Sequence, residues 1–127
     1  MPPSALIAAS AGIVLLLGSI HLLYTLRGNK LHPRDPAVMA AMQQTHPVIT
    51  RQTTMWRANY GFNITHSMGL MLFGLINGYL ALAQPALLLQ SVFLELLGLT
   101  TLVAYLVVAH RCFFTVPVRG IALATLL

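Results

Sequence analysis

Three long stretches of the chain, residues 5–26, 61–83 and 86–109, carry apolar side chains at most positions. Each supplies the ~20 residues that cross a hydrocarbon core. The pattern predicts an all-α transmembrane helical bundle in one domain, residues 1–127, with full spans at about 5–26, 57–83 and 86–109. Between the runs, the polar positions act as punctuation. Arg27-Gly28-Asn29 places a positive charge and then a helix stop after the first span. Residues 31–36 hold two prolines and cannot be regular helix, but Asp35 before Pro36 is a good N-cap and first-turn pair. A short helix from 36 to about 45 follows, with Val38, Ala41 and Met42 on one face, suited to lying at the membrane surface.

Thr45-His46-Pro47 breaks that helix and can start the next. Run from there to Ala83, the second long helix has 37 residues and extends ~55 Å, with Trp56 and Arg57 near the interface. Gln84-Pro85 predicts a tight outer turn. Residues 117–127 form a partial helix of ~16 Å, about half a span. It is either a truncated or a half-inserted fourth helix, and truncation is the expectation favoured here.

Composition sharpens the class. Seven Lys and Arg and two Asp and Glu make up 7 % of the chain, against roughly a quarter in soluble domains. The net charge of +5 would point to nucleic acid in a soluble domain. Its distribution points elsewhere: Arg27, Lys30, Arg34, Arg51 and Arg57 lie between the first two runs, and Arg111 and Arg119 follow the third. The positive-inside rule then puts both basic loops in the cytoplasm and the amino terminus outside, with no nucleic-acid partner. The first run is an uncleaved anchor rather than a secretory signal, because no charge precedes it. Cys112, alone, forms no intramolecular disulfide and is expected reduced.

Candidate chemistry centres on the second long helix. At 100° per residue, Asn59, Asn63, His66 and Asn77 fall within about 60° of one another. This polar stripe reads either as interhelical hydrogen bonding or as a ligand or proton-pathway site. Gly74 and Gly78 add the small-residue spacing of close helix packing. Glu95 is the only acidic side chain in a predicted span, where a carboxylate is costly enough to be a functional candidate. Folding the hairpin about Pro85 brings Glu95 level with Asn77, to which it is expected to hydrogen-bond, and Tyr105 level with His66. His21 and His66 differ in depth by only about 5 Å, so a bis-histidine haem is an alternative. No ligand spacing for zinc or another metal is present. Nucleophilic triads, P-loops and dinucleotide fingerprints are absent as well.

The blocks His21-Leu22-Leu23-Tyr24-Thr25-Leu26-Arg27, Lys30-Leu31-His32-Pro33-Arg34-Asp35, and Arg51-Gln52-Thr53-Thr54-Met55-Trp56-Arg57 through Asn63-Ile64-Thr65-His66-Ser67 resemble a family of small bacterial four-helix integral membrane proteins. That resemblance implies a location in the bacterial inner membrane and supplies no activity. A looser resemblance is to the membrane-associated proteins of eicosanoid and glutathione metabolism, whose second helix opens with Arg-Ala-His-x-Asn-x-x-Glu. Arg57-Ala58, Asn63 and His66 match parts of that block; the arginine-to-asparagine spacing is two residues longer, and histidine stands for glutamate. It implies a glutathione-transferase-like enzyme, a trimer in which Arg57, Asn63 and His66, with Arg111 or Arg119, form an anion pocket at the cytoplasmic interface.

Two functions therefore stand as expectations. The first is a structural, assembly or small-ligand-binding membrane protein without catalysis, whose ligand candidates are Arg57, Asn59, Asn63, His66, His21, Asn77 and Glu95. Its partners are membrane lipids and copies of itself or another membrane subunit. The second is the glutathione-transferase-like enzyme. They differ in whether these side chains pair off between helices or converge on an open cavity.

Overall fold

The computed structural model describes residues 2–127 and is all-helical, with no strand among them. Its helices are α1 (Pro3–Leu26), α2 (Pro36–Gln44), α3 (Met55–Ala83), α4 (Pro85–Gln90), α5 (Val92–Cys112) and α6 (Thr115–Leu126). Three of them, α1, α3 and α5, are long and apolar enough to cross a membrane.

Local chemistry explains most boundaries. α1 starts on Pro3, whose missing N–H costs nothing in a first turn. It stops where Arg27 leaves the helix and Gly28 takes φ 75°, a left-handed conformation that glycine adopts without a Cβ clash. α2 begins as expected: the Asp35 carboxylate accepts from the Ala37 N–H at 2.9 Å, and Pro36 occupies the first turn. Removing that cap, Asp35→Ala, is expected to weaken α2 by about 1 kcal/mol. Amide hydrogen exchange across residues 36–44 should then speed up roughly fivefold while α3 is unchanged; uniform protection would show that α2 is held by other contacts.

α3 begins later than the Pro47 start allowed by the sequence. It has 29 residues rather than 37, because residues 47–54 fold back on themselves. The Thr50 N–H donates to Pro47 O at 3.2 Å, His46 Nδ1 lies 2.8 Å from Thr53 O, and the Met55 N–H donates to Thr45 O at 3.0 Å. Thr54 then caps the helix by accepting from the Arg57 N–H at 3.1 Å. Gln84 forms the tight turn, but the run 86–109 is not one helix. It breaks at Ser91, whose Oγ accepts from the Leu94 N–H at 3.2 Å and restarts the chain as α5.

α1 and α3 pack antiparallel over a seam set by glycines. A Cβ on Gly18 would fall 2.8 Å from Leu70 Cβ, and one on Gly74 would fall 2.8 Å from Ala11 O. Gly12, by contrast, faces open space. α6 runs antiparallel to α1, with Gly120 against Leu17 and the Ser10 hydroxyl donating to Ala124 O at 2.7 Å. The buried core takes one residue from each of four helices: Val14, Leu70, Leu102 and Ala124, with Ile13, Phe73 and Tyr105 packed on it. Around this thin core, large apolar side chains such as Leu16, Phe62, Leu72, Leu82 and Phe93 stay more than half exposed.

Candidate functional site

The continuous turn of α3 carries the polar stripe, and α1 brings His21 to it. The His21 Nε2–H donates to Asn63 Oδ1 at 3.0 Å, which fixes the proton on that nitrogen. Asn63 in turn donates from Nδ2 to Asn59 O at 3.0 Å, and its own carbonyl accepts from the Ser67 hydroxyl at 2.8 Å. The Thr25 hydroxyl donates to His21 O at 2.8 Å. The His66 ring stands edge-on to His21 with centroids 5.3 Å apart, and Tyr105 and Phe113 each approach it to 6.4 Å. The level of Tyr105 with His66, read from the hairpin, is therefore observed.

The seven candidate residues do not form one site. His21, Asn59, Asn63 and His66 lie together at the seam. Asn77 is eleven residues further along α3, ~16 Å at helical rise, where it meets α5. Arg57 is exposed, and nine residues at 100° each place it about half a turn around the helix from His66. A straight α-helix cannot bring that guanidinium onto the histidine face of the same chain. Arg111 and Arg119 are exposed as well.

Glu95 corrects a second expectation. It shares a cavity with Asn77 but does not bond to it, because the Asn77 Nδ2 donates back to Phe73 O at 2.9 Å. The break at Ser91 puts Glu95 in the first turn of α5 with its side chain exposed. There the carboxylate complements the positive end of the helix dipole.

In chemical terms the seam is a hydrogen-bond chain from His21 through Asn63 to Asn59 O, with the His66 ring beside it in aromatic contact. No buried side-chain nitrogen or oxygen among the described residues lacks a partner. Beside the two histidines stand the Tyr105 and Phe113 rings. Among the described residues no group of three His, Cys, Asp or Glu could hold a metal ion. The seam does not fit a bis-histidine haem either: the two rings are in edge contact, leaving no gap for a macrocycle, and His21 Nε2 is engaged with Asn63.

Ser67, Thr25 and Ser10 are buried polar residues that the stripe did not include. Ser67 and Thr25 had a sequence signal, the four-residue spacing by which a helical hydroxyl reaches the carbonyl one turn back, here from Asn63 and His21. Ser10 had none, since its acceptor is 114 residues away. Searches against protein families, curated proteins and solved structures found no match to the chain.

Proposed function

We propose that this chain is a multi-pass membrane protein without catalytic activity, serving as an assembly or small-ligand-binding subunit of the bacterial inner membrane. One observation carries the reading: His21 of α1 is hydrogen-bonded to Asn63 of α3, and Asn63 to Asn59 O, while the outward apolar faces of α1, α3 and α5 are left uncovered. Interhelical hydrogen bonds of this kind hold spans together at ~0.6 kcal/mol each. The uncovered faces match lipid tails and the apolar surface of another subunit, either a second copy or a different membrane protein. The amino terminus lies outside and the basic segments after α1 and α5 lie in the cytoplasm, as the charge distribution requires.

The topology has a direct test, because the chain's single thiol, Cys112, is exposed at the end of α5. A membrane-impermeant maleimide is expected to label it in inside-out vesicles and to spare it in right-side-out ones. The reverse pattern would invert the orientation. Assembly is read by native mass spectrometry of the protein released from its own membrane. Copies of the chain, or the chain with another subunit, both free of thiol ligand, support the proposal. A trimer retaining glutathione, lost on Arg57→Ala, would replace it with the transferase reading, the arginine then acting from a neighbouring copy.

A further inference from the structure

The segment between α2 and α3 is closed at its base, where the Met55 N–H donates to Thr45 O at 3.0 Å and His46 Nδ1 lies 2.8 Å from Thr53 O. Its tip is a β-turn over Pro47–Thr50, held by the Thr50 N–H donating to Pro47 O at 3.2 Å. The two central positions of that turn are Val48 and Ile49. Turn centres ordinarily take Gly, Pro, Asn, Asp or Ser, which suit both the backbone bend and the water around it. Here they hold the two most exposed large apolar side chains among the described residues, Val48 fully exposed and Ile49 at 91 %. Exposed apolar residues of α3 such as Phe62 and Leu82 belong to a helix long enough to span, whereas this tip belongs to none.

The tip also stands at the charged end of the fold. Ile49 is four residues from Thr45, so it lies within about 14 Å of the closed base and the start of α3. At that start the Trp56 and Tyr60 ring centroids are 6.3 Å apart, and His32 meets Trp56 edge-on at 4.9 Å, which brings the segment after α1 to the same place. Tryptophan and tyrosine rings favour headgroup depth. Residues 27–57 hold five cations, Arg27, Lys30, Arg34, Arg51 and Arg57, all exposed, and one acid, Asp35, which is engaged in capping α2. We propose that this turn docks on anionic phospholipid, with Val48 and Ile49 entering the headgroup layer and Arg51 pairing with lipid phosphate. Apolar insertion and cationic attraction act together at a surface that is both apolar beneath and negative above. An apolar groove on a protein suits the two side chains but leaves the cations unmatched; nucleic acid suits the cations but leaves Val48 and Ile49 in water. The proposal rests on the membrane reading above and adds which lipid this end of the molecule selects.

The test uses the full chain with Cys112→Ser and Ile49→Cys, the new thiol carrying an environment-sensitive fluorophore. The protein is placed in nanodiscs of phosphatidylcholine, alone or mixed with phosphatidylglycerol, each doped with a lipid bearing a nitroxide on its headgroup. Strong quenching is expected in the mixed discs and weak quenching in the neutral ones, with the difference lost at high salt, where surface charge is screened within about 3 Å. Arg51→Gln, a change at an exposed loop position, is expected to lower the ratio of docked to undocked turn about fivefold, the effect of one cation near an anionic surface. A probe that stays in water in both discs overturns the proposal. Equal quenching in both discs, or an unchanged ratio in Arg51→Gln, overturns it as well and leaves the cations as topology signals alone. Failure of the membrane reading shows separately, as a chain that does not incorporate into the nanodiscs at all.

Discussion

Gly74→Ala is expected to force α1 and α3 apart and to destabilise the helix pair by about 2 kcal/mol, at the overpacking scale for a rigid site. The added Cβ would fall 2.8 Å from Ala11 O, 2.8 Å from Leu15 Cβ and 2.9 Å from Leu15 N. Two of those atoms are helix backbone and the third is fixed to it, so no rotamer change relieves the clash. Gly69→Ala is the control, since a Cβ there meets nothing within 4 Å. It should be neutral or stabilising by up to about 1 kcal/mol through helix propensity. Reversible unfolding in mixed micelles of lipid and dodecyl sulfate reads both. Equal effects from the two variants would mean that the seam does not depend on close backbone approach.

The second large effect is expected at Asn63. Replacing it with leucine keeps the volume of the side chain but removes the acceptor of the His21 N–H and the donor to Asn59 O. A half-buried imidazole N–H is left without its partner, at about 1–2 kcal/mol. The informative quantity is the coupling in a double-mutant cycle of Asn63→Leu with His21→Ala, expected between ~0.6 and ~1.7 kcal/mol. A coupling of zero would show that the bond does not hold the helices together, removing the main support for a structural role of the stripe.

Sequence pattern alone reaches the helices but not their contacts. Runs of apolar residues fix where α1, α3 and α5 lie, because hydrophobic length is a one-dimensional property. Asp35-Pro36 and Arg27-Gly28 fix the end of α1 and the start of α2, because caps are local chemistry. The start of α3 lies close to the expected span at 57; the earlier start that Pro47 permits is not taken, because the competing loop is closed by Met55 N–H to Thr45 O, ten residues back. The break at Ser91 has no proline or glycine to mark it. Its one signal is a serine three residues before the N–H it caps.

For the site, helical spacing found the face that carries Asn59, Asn63, His66 and Asn77. It did not separate the seam from the Glu95 cavity, because both lie on that face at different heights. Arg57 entered the candidate set through a resemblance in its local block, whereas helical geometry alone places it on the far side of α3. Glu95 was placed at the right height and given the wrong partner. Spacing sets height; the competing backbone acceptor at Phe73 decides the bond.

The four-helix core has a bearing on when the molecule can become itself. Val14 is made 110 residues before Ala124, and the Ser10–Ala124 bond joins positions 114 apart. A ribosome elongating at ~5–20 residues per second leaves Val14 and Ser10 waiting roughly 5–20 seconds for this neighbour. During that interval α1 and α3 can already be zipped along their glycines, while the side of α1 that will receive α6 stays open. The nascent protein is thus a helix pair with a vacant flank until α6 emerges to close it.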